Sequence, residues 1–355
     1  MNRLTRVCAL TSGRNAPASR FRVRQHICAL RTLGYDVREH CPIVPQAMPL
    51  PGALPGLRRR HLAPLSALWT LGHVTARIPG ILASRNADLV WIERTIVPGL
   101  DEIVRLIGRP RVLDADDAVW LEGATRRSIR TLARSVDSVV AGNSYLADWF
   151  SQHCSIVHTI PTAIDCQRFH PRQDSGQLDG FRILWTGTSG NFRYLGMLRT
   201  VLRRVLQEVP AASITIVADR APELAVLGDL PVRFIRWRES VEADALQGAH
   251  VGVMPLTDDE WTRGKCSFKM LQYMASGLPC VVSPVGMNRD VLARGACGLV
   301  ATSESEWVDA LVTLSRDADL CRQLGNTGRQ IVEKHYDVPV IARQLSEVFA
   351  KFRNG

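Results

Sequence analysis

Only four lysines stand among the 44 basic residues, and two of them, Lys265 and Lys269, lie four apart in WTRGKCSFKMLQYMASGLPCVVSPVGMN. The spacing predicts a helix from about Ser267 to Ala275, stopped by Gly277 with Pro279 two residues on. Ser267 is the expected N-cap. The open amides and dipole of such a helix start attract an anion, and two ammoniums beside it suit a phosphate, although a solvated, capped helix end would look the same. Upstream, FRILWTGTSGNFRYLGML runs a strand into Gly187, Thr188, Ser189 and Gly190. Small residues at that turn let the backbone approach a diphosphate, or cap the next helix in the ordinary way. In the first half, RVLDADDAVW ends a strand with Asp114, Asp116 and Asp117, and a carboxylate there can orient or deprotonate a hydroxyl, or pair with nearby arginines. Ser12, Gly13 and Arg14 follow another strand, Arg20 and Arg24 share a face of the helix after it, and Glu93 and Arg94 close a third strand. A phosphate-bearing ligand fits the arginines.

Apolar runs of four to six residues alternate with amphipathic stretches of ten or more, the pattern of βαβ units with parallel sheets. The predicted strands are Val7–Leu10, Tyr35–Val37, Leu89–Ile92, Arg111–Leu113, Ser138–Ala141 and Ile156–Thr159, then Arg182–Thr186, Ser213–Ala218, Val232–Ile235, Val251–Met254, Cys280–Ser283 and Gly298–Val300. Helices are expected between them, among them Ser19–Leu33 and Ala124–Ala133. The polar stretch CQRFHPRQDSGQLDG after Asp165 has no period and reads as a linker. The expected division is 1–168, a linker over 169–180, 181–336, and a C-terminal segment over 337–355 that is an amphipathic helix from Val338. Doubly wound sheets bind ligands beyond the carboxyl ends of their strands, so the residues after each strand matter most.

A chain of 355 residues with 46% hydrophobic and 22% charged residues has room for two ordinary cores, which excludes disordered, collagen-like and coiled-coil classes. No apolar run reaches the length of a spanning helix, and the short apolar start speaks against export. Nine cysteines without a CxxC pair suit neither a disulfide framework nor a zinc site. The net charge of +10 is lopsided: residues 1–170 hold 22 Arg and no Lys against 13 acidic residues. Between Cys41 and Ala87 there is no acidic residue at all, while Arg58, Arg59, Arg60, Arg77 and Arg85 lie among leucines. Such a segment can rest on an anionic bilayer, or be an ordinary solvated face; nucleic acid is not expected as a partner.

LQYMASGLPCVVSPVG and the layout around it resemble the retaining glycosyltransferases of family 4, also called glycosyl transferases group 1. The resemblance implies the GT-B fold, an α/β architecture of two Rossmann-like domains facing a central cleft. It implies a nucleotide-diphospho-sugar donor, UDP- or GDP-linked, on the C-terminal domain, with no cofactor and no metal. It places Gly187, Thr188, Ser189, Arg193, Lys265 and Lys269 on the donor diphosphate, and Arg236, Trp237 and Gln272 on the nucleoside, with Trp237 equally suited to packing. Asp116 and Asp117 become the catalytic candidates, and Gly13, Arg14, Arg20 and Arg24 the acceptor side. The C-terminal helix is expected to cross back to the first domain.

Two departures stand out. The family's pair of glutamates eight apart falls here on Gly264 and Gln272, and its Arg and Lys at the glycine-rich turn fall on Thr188 and Arg193. A subset of the family carries Ser-x-Lys at the helix start, which Ser267 and Lys269 match. The expectation is a cytoplasmic transferase, peripheral on the membrane's cytoplasmic face, that extends a glycan or lipid-linked acceptor in cell-surface polysaccharide synthesis. The alternatives are a non-catalytic nucleotide-sugar-binding subunit and, more weakly, a nucleotide-sugar epimerase, which would want a His among acidic groups near the phosphate motifs.

Overall fold

The computed structural model describes residues 3–44, 59–97, 99–122, 125–126, 128–172 and 179–352, with the side chains of 59–67 excepted. Arg58, the start of the expected helix at Ala124 and residues 173–178 of the expected linker lie outside the described residues. The chain divides into two compact units. One is built from the chain up to Ala163 and again from Val338 onward, the other from Ile164–Asp337.

The first unit is a six-stranded parallel sheet of β1 (Thr5–Leu10), β2 (Tyr35–His40), β3 (Leu89–Glu93), β4 (Arg111–Ala115), β5 (Ser138–Ala141) and β6 (Val157–Thr159), in the order 2-1-3-4-5-6. The second is a six-stranded parallel sheet of β7 (Phe181–Thr186), β8 (Ala212–Ala218), β9 (Val232–Arg236), β10 (Val251–Met254), β11 (Cys280–Val282) and β12 (Gly298–Val300), in the order 12-11-10-7-8-9. Parallel strands covered on both faces read as largely apolar runs, and β3, β4 and β5 are buried at every position, Glu93, Arg111 and Asp114 included. Strand order reverses between β1 and β3 in one sheet and between β7 and β10 in the other. These are the two places where the fold opens a crevice beyond the carboxyl ends of its strands.

Each core follows from the pattern. In the first unit Val7, Trp91, Val112 and Val140 pack with Leu345, Val348 and Phe349 of the helix Val338–Ala350. Trp91 and Tyr35 meet the Phe349 ring edge-on at 5.3 and 5.6 Å, and the Tyr35 hydroxyl donates to the Ser346 carbonyl at 2.9 Å. In the second, Ile183, Trp185, Ile214, Ile216 and Val253 pack with Leu195, Leu202, Val205, Trp307 and Leu311.

One expected helix is not regular. Ser19–Leu33 is a π-turn over Ser19–Val23, a 3-10 turn over Arg24–His26 and an α-helix only over Ile27–Thr32. From the wide turn, buried Arg22 pairs with Asp114 at 2.7 Å and donates to Ile160 O and Thr162 Oγ1, while Asp114 also accepts from Trp91 Nε1. Asp114 is thereby a structural anchor.

His26 follows directly and is buried with its Nδ1 unpartnered among the described residues. Burial, with the nearby Arg22 charge, pushes its pKa down to about 3. The unfolded chain therefore binds a proton that the folded chain refuses, and stability present above pH 6.5 is lost as pH falls toward 3. Between pH 6.5 and 5 this one residue removes about 1.6 kcal/mol. Thermal midpoints of the full chain across that range are expected to fall, and His26→Gln to flatten the slope; an unchanged slope would show that His26 is not the titrating group.

Candidate functional site

In the second unit the helix Phe268–Ala275 lies over the point where β7 and β10 part. Tyr273 holds it there. Its ring is fully buried against Gly252, where an added Cβ would fall 2.3 Å from the ring, so the glycine inside β10 makes room for the tyrosine. The Tyr273 hydroxyl accepts from Thr186 N and donates to Val253 O, each at 3.2 Å. One side-chain oxygen thus joins the ends of two diverging strands.

One turn earlier on the same helix, Lys269 lies with its Nζ 5.7 Å from the centre of the Trp185 ring. Gly187 is the residue that admits it. A Cβ there would stand 2.6 Å from Lys269 Cε and 2.8 Å from the Trp185 ring. A backbone turn without side chains and a lysine stem therefore meet at the carboxyl end of β7, in the crevice of the reversal.

The approach to this helix is over-determined. Ser267 is left-handed (φ 51°), a costly conformation for a residue with a side chain, and its hydroxyl donates to Asn288 Oδ1 at 2.7 Å rather than capping the helix. This corrects the expected N-cap. Asn288 in turn donates to Ser283 O, and Ser283 Oγ accepts from Leu256 N, tying the loops after β10 and β11 together. Gly286, itself left-handed, lets the second loop close on Arg263, whose carbonyl would lie 2.8 Å from a Cβ.

The other donor-side candidates are spread around this point. The Ser189 amide and hydroxyl both bind Asp219, at 2.6 and 2.8 Å, so an anion at Ser189 would face a carboxylate. Thr188 Oγ1 accepts from Asn191 Nδ2 at 2.9 Å. Exposed Arg193 stacks on Tyr194 and donates to its hydroxyl. Against the penalty of burial, hydrogen bonds from Thr257 and Thr262 and the charge of Arg193 hold the Asp259 carboxyl below its ordinary range. Lys265 is half-buried, with its Nζ 5.3 Å from the Trp261 ring centre. Arg236 and Trp237 are exposed at the carboxyl end of the edge strand β9. Gln272 is buried and donates to Glu242 Oε1 at 2.8 Å, and Glu242 is in turn paired with Arg168 at 3.1 Å; Gly264 is buried. Of the six diphosphate candidates, the structure brings Gly187 and Lys269 into contact.

The acceptor-side candidates belong to the first unit. Arg94, left-handed at φ 63°, ends β3 and pairs with both Asp116, at 2.8 Å, and Asp117. Burial raises the Asp116 carboxyl, but the Arg94 and Arg22 charges more than offset it, and the group sits below its ordinary range. That makes it an anion that gives up its proton readily and takes one poorly. Fully buried Glu93 accepts from Ser12 N, Ser12 Oγ and Ser19 Oγ at 2.7–3.0 Å. The Gly13 amide points at Ser19 Oγ, and Arg14 lends its carbonyl to Arg24, whose guanidinium pairs with Glu39 at 2.7 Å. Arg20 stacks on Phe21 instead. Arg20 lies in the π-turn and Arg24 opens the 3-10 turn that follows, so the regular helix expected to carry both is absent there.

Residues 180–317, which are 138 of the chain's 355 residues, match the family model for glycosyl transferases group 1. The fold of the whole chain agrees with it. Sucrose-phosphate synthase from Thermosynechococcus elongatus superposes with a TM-score of 0.70 at 16% identity, covering 98% of each chain. HepE from Anabaena, solved with UDP and glucose, gives 0.66 at 16% identity over 98% of this chain and 99% of that one. WaaG, a glycosyltransferase of lipopolysaccharide biosynthesis, gives 0.64 at 14% over 98% and 100%. These likenesses establish the GT-B fold, two parallel sheets flanked by helices. No curated protein matches the chain in sequence.

Sequence reasoning did not pick out Tyr273, Trp185, Asn288 or Asp219 in the second unit. Gly252 was the available signal, since a glycine inside an apolar strand marks close approach of another group. Tyr273→Phe would leave Thr186 N and Val253 O unpaired in a dry site, at a cost of about 2–4 kcal/mol. Urea unfolding of the full chain measures it, and an unchanged midpoint would remove the hydroxyl from the account.

Proposed function

We propose that the chain transfers a sugar from a UDP- or GDP-linked donor to a glycan or lipid-linked acceptor, with retention of anomeric configuration, in cell-surface polysaccharide synthesis. The observation that carries the reading is the Lys269 stem lying across Trp185 against Gly187 at the strand reversal, inside the stretch that matches the family model. As the bond between sugar and diphosphate breaks, negative charge grows on the departing diphosphate. An ammonium already in place stabilises it without reorganisation, with backbone amides of the Gly187 turn as further donors and no metal required. Arg236 and Trp237, at the end of β9, are the groups to stack on the base. Support for the donor class comes from HepE, solved with UDP and with UDP-glucose. On the acceptor side, Asp116 and Asp117 orient a hydroxyl through their charge more readily than they deprotonate it, because Arg94 holds both.

A second reading has one observation in its favour. Gln272, where the family has a glutamate for the ribose, spends its amide on Glu242, and Gly264 offers no side chain to the sugar. A subunit that binds a nucleotide-sugar without transferring it would tolerate both changes.

A thermal-shift panel of UDP, GDP, ADP, CMP and their sugar conjugates separates these readings when paired with an assay for release of the nucleoside diphosphate. A ligand at a hundred times its Kd raises stability by about 2.7 kcal/mol. One diphosphate is expected to stand out, and Lys269→Met, which keeps the stem across Trp185, is expected to weaken it by roughly 1.5–3 kcal/mol. Unchanged affinity in the variant would take Lys269 out of the site. Binding without release, even with acceptor-containing membrane extracts, would favour the non-catalytic reading.

A further inference from the structure

The helix Arg59–Ser84 of the first unit turns polar residues inward, while Leu68, Leu71, Ile78 and Leu82 face solvent. Its place on the sheet is set by its second half. Gly80 is pressed so near β1 that a Cβ would fall 2.8 Å from Cδ2 of Leu10, the last residue of that strand. Ser84 Oγ then accepts from Gly108 N at 3.1 Å, just before β4 begins. The helix therefore runs from the carboxyl toward the amino ends of the strands, and the part before Gly80 overhangs the reversal between β1 and β3. There Arg77 donates to Thr11 O at 2.6 Å and Ile96 O at 2.7 Å, in the chain just past each strand. His73 and Trp69 follow on the same face at four-residue spacing, about 6 and 12 Å further out.

Each of the three carries a buried nitrogen that makes no hydrogen bond to the described residues: Trp69 Nε1, His73 Nε2 and Arg77 Nη2. His73 and Arg77 are each 3% exposed, and the Trp69 and His73 ring centres lie 4.0 Å apart. Fully buried Asp101 gives its Oδ1 to the amide of Ile96, the residue whose carbonyl holds Arg77, and its Oδ2 likewise has no partner among the described residues. Buried polar atoms left this way cost stability, so a row of them at a strand reversal speaks for a ligand. Charge says which kind. Glu93 and Asp101 already act on the Arg77 guanidinium, so an anion there would meet carboxylates. Burial, then the Arg77 charge, push the His73 pKa down, and the imidazole brings no positive charge of its own. A hydroxyl suits both sides, accepting from an N–H and donating to a carboxylate, and a sugar ring offers several in a row. We infer that Trp69, His73, Arg77 and Asp101 form a subsite for an uncharged sugar ring and disfavour acidic sugars and phosphate. That the ring belongs to the acceptor rests on the sugar-transfer reading; that it binds here does not.

Saturation-transfer NMR titrations of the full chain test it, with the methyl glycosides of glucose, galactose, mannose and N-acetylglucosamine, with methyl glucuronide and with inorganic phosphate. At least one uncharged glycoside is expected to bind, and to bind about tenfold or more weakly in His73→Leu. Because that change replaces an unpartnered nitrogen by an apolar group of similar volume, the thermal midpoint of the variant without sugar is expected to match or exceed the parent's. Asp101→Asn, which keeps an oxygen for the Ile96 amide, is expected to shift preference about tenfold from the uncharged glycoside toward the glucuronide. Nucleoside diphosphates, whose candidate site is in the second unit, are expected to act on both variants as on the parent, so loss of this subsite and loss of the donor reading are told apart. No glycoside bound by the parent, phosphate or glucuronide bound in preference to every uncharged glycoside, or glycoside binding untouched by both substitutions would overturn the inference. A lower midpoint in His73→Leu with glycoside affinity intact would make the imidazole a packing group and overturn it as well.

Discussion

The Tyr273 hydroxyl is the joint on which the candidate site depends. Where strand order reverses, β7 and β10 part, and their last backbone groups lose each other as partners. A single phenol oxygen takes the Thr186 amide and serves the Val253 carbonyl, so the strands separate without leaving either group bare. The crevice is therefore held open by a hydrogen-bonded side chain. Because Tyr273 is anchored, the helix carrying it is fixed in register, and Lys269 four residues earlier must reach the Gly187 turn. Glycines complete the fit twice, at Gly252 for the ring and at Gly187 for the lysine stem.

The same economy governs the first unit with charges in place of a phenol. Arg22 and Arg94 reach the carboxylates that end β4, Arg22 by binding Asp114 and Arg94 by binding Asp116 and Asp117, while Glu93 gathers the Ser12 and Ser19 groups after β1. Arg94 adopts a left-handed backbone to do so, a strain that the surrounding pairs must offset. The outcome is a set of groups fixed in place by hydrogen bonds and ion pairs, in which burial pushes the Glu93 and Asp114 carboxyls up while the Arg94 and Arg22 charges hold Asp116 below its ordinary range.

The twelve described strands could be read from the chain, because the central ones, buried on both faces, are largely apolar runs and Gly and Pro boundaries are local signals. What could not be read was decided at long range. The π-turn at Ser19–Val23 accompanies Arg22 reaching Asp114, 92 residues away. Ser267 looks like a cap until Asn288, 21 residues on, takes its hydroxyl, and Gln272 looks available to a ribose until Glu242, 30 residues back, takes its amide. Lys269 and Gly187 were legible as separate phosphate signals; that they touch is a product of the fold. The long helix with its leucines outward was visible only as a basic, acid-free segment, since the sequence alone does not say which face meets the sheet.

The central claim is that the Gly187 turn and Lys269 form one anion-binding unit. A double-mutant cycle of Gly187→Ala and Lys269→Met, read by calorimetric titration with UDP and GDP, tests it most directly. An alanine Cβ at 187 displaces the lysine stem, so each single change is expected to weaken the preferred diphosphate by about tenfold or more, and the double change by no more than the stronger single one. Effects that add, or a Gly187→Ala protein that binds as the parent does, would contradict the account.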